Sequence, residues 1–293
     1  MNKLQGTGVA LVTPFDKNGA VDYEALKKLV NYQIQGGTDF LVVQGTTGET
    51  ATLSTTEKEK VLNVVVETNA KKLPVVLGLA GNSTQDLVAQ YKQVDTAKID
   101  AFLCASPYYN KPSQSGIIAH FTAIADVAKK PIILYNVPGR TASNMLSDTT
   151  LKLSEHENII AVKEASGNLE QVMEIIASAK DDFAVLSGDD ALTLPMIASG
   201  AKGVISVVAN AFPKLFSAMV NNSLQNNFEQ ARESHYQLLK VTQLFFAEGN
   251  PAGVKASLAC QGLLENTLRL PLTEVSEALA KEINAQTKEI LSR

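Results

Sequence analysis

Lys163 ends a run of apolar residues that begins at Ile159 and has the composition of a buried β-strand. Burying an ammonium group is costly unless the group is paired or loses its proton. A neutral amine attacks ketones to form an imine, so Lys163 is a candidate nucleophile. The alternative is a lysine that extends to solvent at a strand end, which is the commoner situation for an isolated lysine. Lys129, Lys130 and Lys202 precede apolar runs and fit that alternative.

Four further side chains with suitable chemistry follow other apolar runs. Tyr135 lies near the end of the preceding run, and a phenol beside an imine-forming lysine can carry protons. Thr46 and Thr47 lie between two glycines and offer hydroxyl and backbone N–H groups to a carboxylate. Arg140 offers a planar guanidinium to a second carboxylate. The ordinary alternatives are a core aromatic, a helix-capping turn and a surface ion pair.

The remaining titratable candidates predict structural roles. Asp189 and Asp190 are adjacent, but no histidine or further carboxylate accompanies them at a ligand spacing, so helix capping is favoured and no metal site is expected. His120, His156 and His235 fall in helical or helix-end stretches away from strand ends, and we interpret them as structural or surface residues.

Eight short apolar runs supply the elements that must position these side chains. They begin about 28 residues apart on average, which leaves room for one helix and two short loops in each interval. Continuous rather than alternating apolar runs are typical of parallel strands that are buried on both faces. The runs are 8–13, 39–44, 74–79, 101–106, 131–136, 159–164, 183–188 and 203–208.

The intervals between the runs show helical signals. Ser54 and Glu57 match a capping box, and Ser83 and Ser147 stand where further helices should begin. Eight such units predict an α/β fold, a closed (β/α)8 TIM barrel over residues 1–224. A doubly wound dinucleotide-binding sheet is less favoured, because no GxGxxG follows the first run.

The C-terminal part of the chain has a different pattern. No strand pattern returns after Asn222, and residues 225–293 predict a C-terminal three-helix extension. The helices should be interrupted near 249–251 and 270–271, where glycine and proline occur.

Composition excludes several classes of protein. The chain has 293 residues, 45% hydrophobic residues and a formal net charge of −4, which argues against nucleic-acid binding and disorder. No apolar run approaches the ~18–20 residues of a membrane span, and the N-terminus lacks the pattern of a signal peptide. Cys104 and Cys260 follow no metal or disulfide spacing. We therefore expect a cytoplasmic protein with no membrane partner.

The candidate residues converge on one end of the predicted barrel. The active sites of such barrels lie at the C-terminal ends of the strands, where Lys163, Tyr135, the two threonines and Arg140 are all expected. An amine, a phenol and two carboxylate-binding groups together predict a class I aldolase-type enzyme that forms an imine with a 2-oxo acid.

Five motifs resemble the dihydrodipicolinate synthase family, within the superfamily of class I aldolases that contains N-acetylneuraminate lyase. The resemblance covers essentially the whole chain. It implies a lyase that condenses pyruvate with L-aspartate 4-semialdehyde, giving 4-hydroxy-tetrahydrodipicolinate for diaminopimelate and lysine biosynthesis without a metal or dissociable cofactor. The motifs are GTTGE at 45–49, PYYNKP at 107–112, YNVPGRT at 135–141, VKEASG at 162–167 and LSGDD at 186–190.

The resemblance also implies catalytic roles. Lys163 would form the imine with pyruvate, and Tyr135 would donate and accept protons. Thr46 would link Tyr135 to Tyr109, which would reach in from a neighbouring subunit of a homo-oligomer, expected to be a dimer of dimers. From the residues alone, Tyr109 and its neighbour Tyr108 are equally typical of an interface pair.

Binding roles follow from the same resemblance. Thr47 and the backbone around Ile205 would hold the pyruvate carboxylate, Gly188 would line the substrate site, and Arg140 would bind the carboxylate of the second substrate. A lysine feedback site is also implied, with histidines in sensitive members at the positions of Thr55 and Lys58. The candidate allosteric residues are Ala51, Asn82, Asp86 and Tyr108.

Residues 250–255 depart from the family pattern, with NPAGVK in place of NPIPVK. We expect this segment to lie in the C-terminal helices, away from the catalytic centre. Two rival functions are an aldolase for N-acetylneuraminate or 2-keto-3-deoxy sugar acids, and a non-catalytic sensor of a 2-oxo acid. Arg140 and the Tyr109 relay argue against the first, and the complete set of lysine, tyrosine and threonines argues against the second.

Overall fold

The computed structural model of the chain describes residues 4–292. Eight parallel strands form a closed barrel in which each strand pairs with its sequence neighbour and the last pairs with the first. In the closing register Gly6 lies opposite Gly203, and Val9 lies opposite Ser206. The strands are β1 (Gly6–Ala10), β2 (Phe40–Val43), β3 (Val75–Gly78), β4 (Ala101–Ala105), β5 (Ile132–Asn136), β6 (Ile159–Glu164), β7 (Ala184–Ser187) and β8 (Gly203–Ser206).

Helices connect the strands and continue beyond the barrel. Within residues 4–292, no helix is long and apolar enough to cross a membrane. The helices are α1 (Tyr23–Gln35), α2 (Thr55–Asn69), α3 (Thr84–Gln93), α4 (Gln114–Ala125), α5 (Pro138–Thr141), α6 (Ser147–Ser154), α7 (Leu169–Ser178), α8 (Thr193–Ala198), α9 (Pro213–Leu224), α10 (Phe228–Ala247), α11 (Ala252–Cys260) and α12 (Glu277–Leu291).

The predicted TIM barrel is confirmed, and one strand boundary is corrected. The first apolar run was expected at 8–13, whereas β1 spans Gly6–Ala10. Residues 11–13 are nevertheless buried, because they pass beneath the loop that follows β2. There the Thr13 hydroxyl donates a hydrogen bond to the Gly48 carbonyl over 2.7 Å. Leu11 still donates its N–H to the Val42 carbonyl of β2 over 3.0 Å, so loop packing accounts for the burial of residues 12 and 13.

The three predicted helix starts are confirmed. Ser54 and Glu57 form the capping box of α2, each side chain accepting from the other residue's backbone N–H. The Ser83 hydroxyl accepts from the Asp86 N–H at the start of α3. Ser147 is the first helical residue of α6, as expected, although Leu146 occupies the cap position and no side-chain hydrogen bond caps the helix. The Leu146 N–H is instead satisfied by the side chain of Gln114.

The barrel has an inner and an outer apolar core. The inner core contains Phe40, Ile133, Leu186 and Ile205 and fills the space enclosed by the strands. Gly8 leaves room for this filling, because a Cβ atom there would lie 2.2 Å from the Phe40 ring. The outer core packs the helices against the sheet. The barrel interior below the polar side chains at the strand ends is therefore filled with apolar side chains.

Three helices follow the barrel, as expected, and pack against it. The Phe245 ring of α10 stacks on Phe212, with ring centroids 6.2 Å apart. The last barrel-layer helix ends at Leu224, but a division into domains 1–224 and 225–293 stays a prediction. Residues 1–3 and 293 of these ranges lie outside the described residues.

Candidate active site

Tyr135 and Lys163 lie side by side on neighbouring strands. The register of β5 and β6 places their Cα atoms opposite each other. The Lys163 Nζ lies 4.3 Å from the centroid of the Tyr135 ring, so the amine is placed over the phenol. Lys163 is 5% exposed and Tyr135 8% exposed. The structure therefore brings together the amine and the phenol that the sequence singles out, in a nearly closed site.

The next residues on the same two strands point the other way and form a buried polar network. The Asn136 amide donates to both carboxylate oxygens of Glu164, over 3.1 and 3.0 Å. Gln171 Nε2 and the Ser166 N–H also donate to this carboxylate, over 3.1 and 2.7 Å. Because successive strand residues face opposite sides, this network holds the two strand ends from outside the barrel. Sequence reasoning missed it, although Asn136 and Glu164 directly follow the two key residues.

Gly188 lies against Lys163. A Cβ atom at this position would be 2.7 Å from the Ala165 Cβ and 3.0 Å from the Lys163 Cε. A side chain here would therefore push the lysine out of its place. The Gly188 N–H donates to the Glu164 carbonyl over 2.7 Å, which keeps the β7 end close to β6.

Thr46 and Thr47 form a single turn of 3₁₀-helix with Gly48. Neither threonine caps a helix, so the capping alternative does not apply. The Thr47 side chain is buried, whereas Thr46 is exposed. Residues with left-handed backbones flank the turn, Gln44 with φ 61° and Glu49 with φ 51°. The segment is thus sharply bent, with one threonine buried and the other exposed.

Asn250 connects the C-terminal segment to this turn, which corrects the expectation that residues 250–255 lie away from the catalytic centre. Its Nδ2 donates to the Thr47 Oγ1 over 3.0 Å. Its carbonyl accepts from Arg140 Nη2 over 3.4 Å. Arg140 itself is exposed and lies in the one-turn helix α5. Sequence reasoning noted the helix break at 249–251 but gave Asn250 no role.

Tyr108 and Tyr109 lie on the loop after β4 and project to solvent. Tyr109 is 88% exposed and has a left-handed backbone, with φ 73°. Within residues 4–292, no hydrogen bond joins Thr46 to Tyr109 or to Tyr135. A single chain therefore does not assemble the predicted relay.

The β7 and β8 ends complete the site. Ile205 is buried in the inner core, and the loop after it starts at Val207. The Asp190 carboxylate accepts from the N–H groups of Val207 and Val208 over 3.1 and 3.4 Å. Burial raises the pKa of Asp190 to about 6. Asp189 caps the short helix that follows, as predicted, whereas Asp190 holds the backbone beyond β8.

Metal-ligating side chains do not gather in the described part of the chain, where no group of three or more His, Cys, Asp or Glu residues could hold an ion. His120 is buried, its Nδ1 lies 2.8 Å from the Thr84 Oγ1, and burial lowers its pKa to about 4. His156 pairs with Asp126 at the surface.

Comparison with known proteins shows that the model of the dihydrodipicolinate synthetase family matches residues 3–290. The chain belongs to this family. A curated relative from Flavobacterium psychrophilum, named 4-hydroxy-tetrahydrodipicolinate synthase, is 50% identical over 291 residues, which cover 99% of both chains. The resemblance found in the sequence is therefore confirmed.

Solved structures of the same family superpose closely. A dihydrodipicolinate synthase from Acinetobacter baumannii, described as chloride-inhibited and in complex with pyruvate, has a TM-score of 0.95 and 37% identity and covers 98% of this chain and 99% of its own. A synthase from Cyanidioschyzon merolae with lysine bound has a TM-score of 0.94 and 38% identity, covering 99% of both chains.

The candidate allosteric residues of this family member only partly come together. The Asn82 amide donates to the Tyr108 carbonyl over 3.2 Å, so these two lie side by side. Asp86 is exposed in the first turn of α3, and Ala51 is exposed in the turn before α2. None of the four side chains is buried within the single chain.

Sequence reasoning also missed two ion pairs of the C-terminal segment, one with the loop that follows β2 and one with α2. Lys255 pairs with Glu49, and both side chains are completely buried. Arg269 forms a two-point contact with Glu57, with distances of 2.9 and 2.5 Å. A lone lysine among the apolar residues of α11 was the available signal for the first pair.

The Arg269–Glu57 pair predicts a pH-dependent contribution to stability. Hydrogen bonds from Arg269 lower the pKa of Glu57 from 4.5 to about 2. A carboxylate with a lowered folded-state pKa stabilises the fold fully above its unfolded pKa, and the effect is lost as the pH falls through the folded value. The two side chains retain 20% and 25% of their exposure, so solvent screens the pair.

We expect Glu57→Gln to lower the free energy of unfolding by roughly 1 kcal/mol at pH 6. Glutamine can still accept in the capping box, which isolates the ion pair. Urea unfolding at pH 6, 4 and 2.5 should show the difference shrinking as the pH falls. Glu155→Gln, in the exposed pair with Lys152, serves as the control and should change nothing measurable. A difference for Glu57→Gln that is independent of pH would contradict the prediction.

Proposed function

We propose that this chain is a lyase that condenses pyruvate with L-aspartate 4-semialdehyde to give 4-hydroxy-tetrahydrodipicolinate, on the diaminopimelate route to lysine. The observation that carries the proposal is the buried Lys163 amine over the Tyr135 ring. Relatives that are about half identical over nearly the full chain carry the name of this synthase. The sugar-acid aldolase alternative is not favoured, because these relatives are synthases.

The reaction begins with imine formation at Lys163. Its neutral amine attacks C2 of pyruvate, and loss of water from the resulting carbinolamine gives the imine. Removal of a methyl proton gives an enamine, whose carbon bonds to the aldehyde carbon of the second substrate. The amine of that substrate then attacks the imine carbon, closes the ring and releases Lys163. The imine of Lys163 itself withdraws the electrons that stabilise the enamine, so these steps use neither a metal nor an organic cofactor.

Neighbouring groups carry protons and hold the two carboxylates. Tyr135, beside the amine, donates and accepts protons at the carbinolamine. Thr47 and the backbone after Ile205 bind the carboxylate of pyruvate, and Gly188 leaves room for the lysine and its adduct. Arg140 is exposed at the mouth of the site, where its guanidinium binds the carboxylate of the semialdehyde.

The proton relay requires a second copy of the chain. Thr46 passes protons between Tyr135 and Tyr109 of the partner subunit. The high exposure of Tyr109 supports this assignment, because a tyrosine that projects from one chain is available to another. The chain is accordingly a homo-oligomer, a dimer of dimers, that works in the cytoplasm on small-molecule substrates.

Lys163→Ala should abolish the imine. Borohydride added with pyruvate is expected to trap a covalent adduct on Lys163 of the unaltered protein, located by mass spectrometry. The variant should lose the adduct and about a thousand-fold or more of the turnover with both substrates. Lys202→Ala is the control, since Lys202 is exposed and precedes β8. Trapping on another lysine, or cleavage of sialic acid instead of condensation, would overturn the proposal.

Tyr109→Phe should lower kcat by about a hundred-fold and change pyruvate binding little, because a proton-transfer group acts on the chemical step. Mixed dimers of Tyr109→Phe and Lys163→Ala subunits should regain activity. One of their two sites would combine an intact Lys163 with an intact Tyr109 from the other chain. Mass spectrometry verifies that subunits exchange. If verified mixed dimers stay inactive, Tyr109 acts within its own chain.

Inhibition by lysine should be weak. Thr55 and Lys58 stand where sensitive family members carry histidines, and Lys58 adds like-charge repulsion toward the lysine ammonium. Each loss is on the order of 1 kcal/mol, so together they weaken binding about ten-fold or more. Titration of L-lysine into the assay should give half-inhibition above the sub-millimolar range. Thr55→His with Lys58→His should increase the sensitivity, and strong inhibition of the unaltered protein would contradict this reasoning.

A further inference from the structure

The Glu49–Lys255 ion pair lies directly behind the Thr46–Gly48 turn. Glu49 is the residue that ends this turn, and Lys255 lies within α11 of the C-terminal extension. Both side chains are completely buried. The Lys255 ammonium also donates to the Thr267 carbonyl over 2.9 Å and lies 4.2 Å from the centroid of the Phe15 ring. Among residues 4–292, Glu49 is the one carboxylate that pairs with this ammonium.

Glu49 is held from several sides. Its second carboxylate oxygen accepts from the Arg269 N–H over 3.1 Å. Its carbonyl accepts from the Thr52 hydroxyl over 3.0 Å. The Glu49 backbone has φ 51°, a left-handed conformation that a residue with a side chain keeps only where its surroundings enforce it. Contacts of the carboxylate with the C-terminal segment supply that enforcement.

The same C-terminal segment reaches the turn at a second point. Asn250, five residues before Lys255, donates to the Thr47 hydroxyl. On the other side of the turn, Gln44 is also left-handed, and its Nε2 donates to the Lys58 carbonyl over 2.7 Å. Side-chain contacts to distant elements thus fix both ends and the middle of the turn.

A buried ion pair adds little net stability, because the cost of desolvating both charges offsets their attraction. Such a pair does define geometry, since each charge must stay within hydrogen-bond distance of the other. At this place the geometry it defines is that of the two threonines.

We propose that Glu49 and Lys255 are positioning residues that hold the Thr46–Thr47 turn in the conformation that receives the carboxylate of the 2-oxo acid. The C-terminal helices are then part of the active-site framework, and not only a covering or an interface. This inference rests on the proposed function, in which Thr47 binds pyruvate.

The test compares Lys255→Met with the double variant Glu49→Gln/Lys255→Met. The single variant leaves a buried carboxylate without its cation and should lose much thermal stability. The double variant removes both charges, so its melting temperature should recover substantially. In neither variant does the ion pair hold the turn. We therefore expect two quantities to rise on the order of ten-fold or more in both variants. They are the pyruvate concentration that gives half-maximal borohydride trapping and the KM for pyruvate.

Glu57→Gln is the matched control. It breaks the other ion pair of the same C-terminal segment, which contacts α2 rather than the turn. It should lower stability while leaving KM for pyruvate and the trapping curve unchanged. If such pairs have a purely structural role, KM for pyruvate should rise in proportion to the loss of thermal stability in the single variant, the double variant and Glu57→Gln alike.

The outcomes separate the inference from the proposed function. If the unaltered protein traps no pyruvate, the proposed function fails. If it traps pyruvate but the double variant regains normal KM together with stability, Glu49 and Lys255 are structural and the inference is overturned. If neither variant folds, the pair is a requirement of folding, which also overturns a positioning role. A recovered melting temperature with a raised KM supports the inference.

Discussion

The cross-strand pairing of Tyr135 with Lys163 is the constraint on which the site depends. Parallel pairing in register puts the two residues on the same face, and closure of the barrel makes that face the interior. A slip of β6 by one residue would turn Lys163 toward the helices and bring Glu164 inside, beside Tyr135. A carboxylate would then take the place of the amine, and the proposed imine could not form.

The register is protected on the outer side of the same strands. Glu164 is a buried carboxylate whose partners are amide and backbone N–H groups. Burying a carboxylate is tolerable only when several hydrogen bonds satisfy it, and these donors come from different elements. Any shift of β6 relative to β5 would break several of them together. The network therefore opposes slippage at the level of Lys163.

The loop between β2 and α2 is held in a different way, by contacts from outside the barrel. A turn with left-handed residues at both ends is not a low-energy conformation by itself. Contacts with α2, with Asn250 and with the Glu49–Lys255 pair hold it. Chemistry on a barrel of this kind thus relies on loops that the scaffold keeps rigid, and here the C-terminal extension belongs to that scaffold.

Local patterns in the sequence determined the eight strands, most helix starts and the candidates Lys163, Tyr135, Thr46 and Thr47. Apolar runs and capping boxes act over a few residues, and barrel closure then places the strand ends together. Tertiary structure alone decided the contacts of Asn250 with Thr47 and of Lys255 with Glu49, which join residues 203 and 206 positions apart. No local periodicity encodes such a pairing, because it depends on how the last helices pack. The exposure of Tyr109 was likewise decided only by the folded chain.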